Sequence, residues 1–138
     1  MLQYKKHRFH YGRISFQIPD GFLLDSCPEL LADNTIRLYA PDEAFALELR
    51  VKACGSVSDL SSMLHSLEET EVSCIESVTV NGLTGYHATY HNQSTQYYEA
   101  WFDVEEGAVF TLCIETDGAI KDVDVGAVVA AVDLRSST

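Results

Sequence analysis

The stretch from Val78 to Glu115 constrains this chain most, because its pattern reads as three strands in succession. Three alternating segments, VTVNGLTGYHATYH, YYEAWFDV and AVFTLCIE, follow one another with short polar turns between them. Side chains of a strand alternate between two faces, so such segments read as a meander. Asn81-Gly82 is the strongest turn signal, since both residues accept the positive φ of a tight hairpin. Asn92 to Gln96 makes the second connection and Glu105-Glu106-Gly107 the third.

Parity predicts a register. Tyr90 opposite Tyr98 sets Ala88 against Ala100 and Tyr86 against Phe102. The next turn sets Phe102 against Phe110, Ala100 against Leu112 and Tyr98 against Ile114. A slip by one would mix aromatics with Glu99 and Asp103, which a buried face resists. The predicted core face is therefore Tyr86, Ala88, Tyr90, Tyr98, Ala100, Phe102, Phe110, Leu112 and Ile114. Each large side chain fully buried there is worth roughly 1.5–3 kcal/mol.

The opposite face is mixed: His87, Thr89, His91, Tyr97, Glu99, Trp101, Asp103, Thr111, Cys113 and Glu115. Two readings follow. Either a helix covers Trp101, Cys113 and Val109 and the rest is wet, or His87, His91, Tyr97, Glu99 and Trp101 form a binding surface. The first class of function is a non-enzymatic interaction or accessory protein that meets a protein partner at that surface or at a sheet edge. The alternative is a small-ligand binder or enzyme with a cleft near Trp101, His87 and Glu99.

The rest of the chain supplies partners for this meander. His7 to Tyr11 and Ile14 to Ile18 read as a hairpin broken at Gly12, ended by Pro19-Asp20-Gly21. Phe22, Leu23 and Leu24 are expected to tuck beneath the sheet. Thr35 to Ala40 and Phe45 to Ala53 read as a second hairpin around Pro41-Asp42-Glu43, with Phe45, Leu47, Leu49 and Val51 inward. Leu60, Met63, Leu64 and Leu67 form one apolar stripe, which predicts a helix over Val57 to Thr70. A second helix is predicted from about Val123 to Val132, with Asp122 or Asp124 as its cap and Ala127, Ala130 and Ala131 close to the sheet. Leu134 anchors its end, and Arg135 to Thr138 is a tail.

Length and composition bound the function. The 138 residues, with 46% hydrophobic content, suit one globular domain spanning 1–138. Twenty-one acidic against nine basic residues give a net charge of −12. That field repels phosphate backbones and anionic membranes, so nucleic acid is not an expected ligand class and neutral or basic proteins are the expected partners. No apolar run is long enough to span a bilayer, and no signal-peptide core is present near Met1, so a cytoplasmic product is expected. Cys27, Cys54, Cys74 and Cys113 make no Cys-x-x-Cys pair and are expected as free thiols.

The segment YGRISFQIPDGF, read as Gly12, Phe16, Pro19, Gly21 and Phe22, together with the VNG turn at Asn81-Gly82, resembles the PsbP-like, Mog-type family. The order hairpin, hairpin, helix, meander, helix fits it. The resemblance implies an α+β fold: an antiparallel sheet of about six or seven strands with helices packed on both faces. It also implies an accessory or binding role, as in extrinsic photosystem subunits and a Ran-interacting factor, and it implies no cofactor.

No catalytic or metal constellation competes with this reading. His87 and His91 lie about 13 Å apart along a strand, too far to hold one ion unaided. Glu105 with Glu106, and Asp122 with Asp124, fall in turns and caps. No glycine-rich phosphate loop or nucleophile elbow is present.

Overall fold

The computed structural model describes residues 2–5, 7–25, 34–53, 71–72, 75–105 and 107–136. In chain order the strands are β1 (Gln3–Lys5), β2 (Arg8–Tyr11), β3 (Ile14–Phe16), β4 (Leu23–Leu24), β5 (Thr35–Tyr39) and β6 (Ala46–Ala53). After these come β7 (Glu71–Val72), β8 (Glu76–Val80), β9 (Leu83–Asn92), β10 (Thr95–Glu105) and β11 (Ala108–Thr116). A 3-10 turn at Ile120–Asp122 leads into helix α1 (Val125–Val132), and β12 (Arg135–Ser136) follows. All pairings are antiparallel. The main sheet runs β4-β5-β6-β11-β10-β9-β7, with β8 also paired to β9, and a small sheet runs β1-β2-β3-β12.

This corrects the expected α+β sheet with helices on both faces. Strands dominate, and α1 is the one α-helix among the described residues. It lies on the same side of the main sheet as the small sheet: Val128 and Val132 share a core cluster with Phe9, Ile14 and Phe16. The reason lies in the chain ends. Residues read as a tail pair instead with the first hairpin, Arg135 opposite Ser15 and Ser136 opposite Ile14. A hairpin extended in this way covers apolar area that a two-stranded ribbon could not. The helix expected over 57–70 lies outside the described residues.

The core sits between the two sheets. Across the main sheet, Ile36, Leu49, Leu112 and Ala100 form one cross-strand row, and Leu38, Leu47, Ile114 and Tyr98 form the next. All eight are buried. Phe9 stacks on Phe16 at 5.7 Å, and Phe16 meets Phe110 at 5.0 Å, so three aromatic rings stitch sheet to sheet.

The β10–β11 register is the expected one, with Phe102 opposite Phe110, Ala100 opposite Leu112 and Tyr98 opposite Ile114. The β9–β10 register is not. Tyr90 faces Tyr97, Ala88 faces Glu99 and Tyr86 faces Trp101. The connection is shorter than expected: Asn92 pairs with Thr95, leaving a two-residue turn in which Gln93 adopts φ 58. One residue of shift sends every β9 side chain to the other face. Tyr86, Ala88 and Tyr90 therefore leave the predicted core face, and His87 and Thr89 replace them.

Two smaller expectations also change. Leu23 and Leu24 do not tuck under the sheet; they form edge strand β4 and are 60% and 46% exposed. Only Phe22 packs inward, edge-on to Phe45 at 5.6 Å. Ala127 and Ala130 are exposed on α1 and do not pack against the sheet. The cap is as expected, with the Ala127 N–H donating to Asp124 Oδ1 at 3.1 Å, and Leu134 is buried.

Candidate functional site

The outer face of the main sheet, turned away from the core, is built from the polar halves of five alternating strands. Arg37, Glu48, Cys113, Glu99 and Ala88 lie in one row across β5, β6, β11, β10 and β9. Tyr39, Ala46, Glu115, Tyr97 and Tyr90 form the neighbouring row. Between them lies a cavity of about 320 Å³.

Glu99 stands at its centre. Tyr90, diagonal to it across the strand pair, donates its hydroxyl to Glu99 Oε2 at 2.5 Å. Trp101, two residues along β10, donates Nε1–H to Glu99 Oε1 at 3.0 Å. Burial pushes the Glu99 pKa up, opposed by these two donors and assisted by the Glu48 charge. Burial, then the Glu99 charge, raises the Tyr90 hydroxyl too, so it stays a donor. On the far side Arg37 bridges two carboxylates, Glu48 at 3.3 Å and Glu115 at 3.0 Å. Cys113 lies in the row between these groups, and burial together with the carboxylates raises its thiol pKa, leaving a poor nucleophile.

The expected surface residues divide between two faces. Tyr97, Glu99 and Trp101 share the outer face; Tyr97 stacks on Tyr90 at 4.8 Å. Trp101 is only 3% exposed and clusters with Ala88 and Val109. His87 and His91 project from the inner side of β9. His87 Nδ1 lies 2.9 Å from the Tyr98 hydroxyl, and its Nε2 lies 3.7 Å from Glu76. His91 is exposed, opposite Gln96.

Sequence reasoning passed over Tyr90, Arg37 and Glu48. Tyr90 was hidden by the register shift. Arg37 and Glu48 occupy the outward positions of a recognisable hairpin, but only the β6–β11 pairing brings them to Glu99. Cys113 is a free thiol; the other three cysteines lie outside the described residues. Among the described residues, no helix is long and apolar enough to cross a membrane.

The fold is PsbP-like. The chain superposes on the solution structure of a cyanobacterial PsbP (CyanoP) from Synechocystis sp. PCC 6803 with a TM-score of 0.59 at 13% identity, over 98% of this chain and 92% of that one. A crystal structure from Bacteroides thetaiotaomicron VPI-5482 gives a TM-score of 0.55 at 12% identity, covering 91% of this chain and 46% of the other, so this chain spans just under half of that one. At such identities the likeness is one of fold, and it supports the PsbP-like half of the resemblance drawn from the sequence, not the Mog-type half. No protein-family model matches the chain, and no curated protein matches it in sequence.

Proposed function

We propose that this chain is a non-enzymatic interaction or accessory protein that meets a protein partner along the β4 edge and the adjoining outer face of the main sheet. The observation that carries this reading is the apolar patch at that edge. Leu23 is 60% exposed, Leu24 46% and the cross-strand neighbour Tyr39 39%. Clustered exposed apolar side chains on an edge strand favour association, and among the described residues no strand pairs with the outer side of β4, where an added strand could dock. The net charge of −12 favours a neutral or basic partner segment. A PsbP-like fold suits an accessory role.

Affinity capture from the native host, comparing wild type with the Leu23→Lys, Leu24→Lys double variant, tests this. Loss of specific partners at an unchanged melting temperature is expected. An identical partner set would overturn it. Trp101→Ala is not the right probe, because Trp101 is buried and its truncation perturbs folding.

A second reading, a small-ligand site in the outer cavity, is favoured by the convergence of Glu99, Tyr90, Trp101 and Arg37 on one concavity. A saturable change in Trp101 fluorescence with host metabolite extract, absent in Glu99→Gln, would favour it over the first.

A further inference from the structure

We propose that the groove between β8 and α1 is a separate binding site for a small uncharged amphipathic molecule with an apolar body and a hydroxyl head.

The β8–β9 hairpin approaches α1 closely at its tip, where Asn81 Nδ2 donates to the Leu134 carbonyl at 2.9 Å. Along the rest of their lengths the strand and helix stand apart. Gly126 and Ala130, the groove-facing residues with the least bulk, keep the gap open. It measures about 560 Å³, within the range of roughly 300–1,000 Å³ that small-molecule clefts occupy. Val78 and Val80 form one wall and Val125 and Val129 the other, all only partly buried. An apolar body lying between them would remove that surface from water.

The floor supplies the polar recognition. His87 Nδ1 sits 2.9 Å from the Tyr98 hydroxyl, and both side chains line the groove. Glu76, 3.7 Å from His87 Nε2, favours the tautomer with its hydrogen on that nitrogen. Nδ1 then accepts from Tyr98, and the Tyr98 oxygen keeps acceptor capacity towards the groove. Burial holds the Tyr98 pKa up at about 12, so the phenol stays protonated. A ligand hydroxyl can donate to that oxygen.

Charge decides against other heads. No lysine or arginine lines the groove among the described residues, so a carboxylate or phosphate would find no permanent positive charge there. Asp133, the one acidic lining residue, is already engaged at 2.9 Å by both Arg8 and Arg135 and offers little to a cation.

The test uses para-butylphenol and its methyl ether as probes, with binding followed by methyl-resolved NMR of the valines. Saturable shifts at Val78, Val80, Val125 and Val129 are expected. The ether should bind about fivefold more weakly, the equivalent of one hydrogen bond of about 1 kcal/mol. Tyr98→Phe should erase the difference between the two probes, and Ala130→Trp should abolish binding while circular dichroism stays unchanged. Absence of saturable binding, shifts centred elsewhere, or affinity retained in Ala130→Trp would overturn the proposal. So would a preference for the phenol that survives in Tyr98→Phe. Dimerisation of the wild type that Ala130→Trp removes would instead assign the groove to a second copy, and would equally overturn it.

Discussion

Glu99 is the residue on which the outer face turns. It is a half-buried carboxylate that receives two hydrogen bonds, from Tyr90 and Trp101, and carries a raised pKa whose main cause is desolvation. A carboxylate whose folded pKa lies above its unfolded value destabilises the native state whenever both forms are ionised. That cost is fully present above the folded pKa and fades as pH falls through it towards the ordinary carboxylate value. Replacing the charge by an amide removes the pH-dependent part. Urea denaturation of wild type and Glu99→Gln, from about pH 5 to about pH 8, should therefore show the stability difference moving in favour of the glutamine as pH rises. A difference that does not vary with pH would contradict this account. Tyr98 and His87 show the same logic on the inner side: a buried hydroxyl finds a partner because leaving it without one costs about 1–3 kcal/mol.

At the scale of elements, the β9–β10 pairing decides what faces what. Gly85 lies opposite Phe102 and faces the core, and the backbone of β10 comes unusually close to it. A Cβ built on Gly85 would stand 1.9 Å from the Trp101 carbonyl oxygen and 2.8 Å from its carbon. Neither atom can swing away, because both belong to a paired strand. Gly85→Ala should thus cost about 3 kcal/mol, read as a lower urea midpoint, with part of the loss appearing as disorder around Trp101. By contrast Gly82→Ala meets nothing within 4 Å and is penalised only by its φ of 82. The two glycines lie only three residues apart in the sequence, yet one serves a turn and the other an interstrand contact. Strand β12 makes a related point. Two residues that read as a tail close the small sheet, because Arg8 reaches Asp133 at 2.9 Å and draws the chain end back onto β3.

For the molecule as a whole, the acidic excess sets the balance between compactness and repulsion. A net charge of −12 on 138 residues weakens the native state through like-charge repulsion, and salt screens that repulsion. The melting temperature near neutral pH should rise by a few degrees from low salt to physiological ionic strength and above. A fall would show that the ion pairs of Arg37 with Glu48 and Glu115 outweigh the general repulsion. The same field bears on the proposed association: if the β4 edge docks a protein, a basic segment should bind more weakly as salt rises.

Local chemistry was enough to place most of the strands and several of the turns. Asn81-Gly82 forms the tight turn it spells, with φ of 50 and 82, and the alternation from Phe45 to Val51 points its leucines inward. Asp124 caps the helix that the valine spacing announced. These features depend on steric and hydrogen-bonding preferences that act within a few residues. Three matters were left to the tertiary structure: the register of β9, the second sheet made by joining the chain ends, and the meeting of Arg37, Glu48 and Glu99. Each rests on contacts between residues distant in sequence, where the competing arrangements satisfy local preferences equally well. Close packing then selects among them: the Gly85 approach, the Phe16–Phe110 contact and the pairing of β6 with β11 are compatible with only one arrangement.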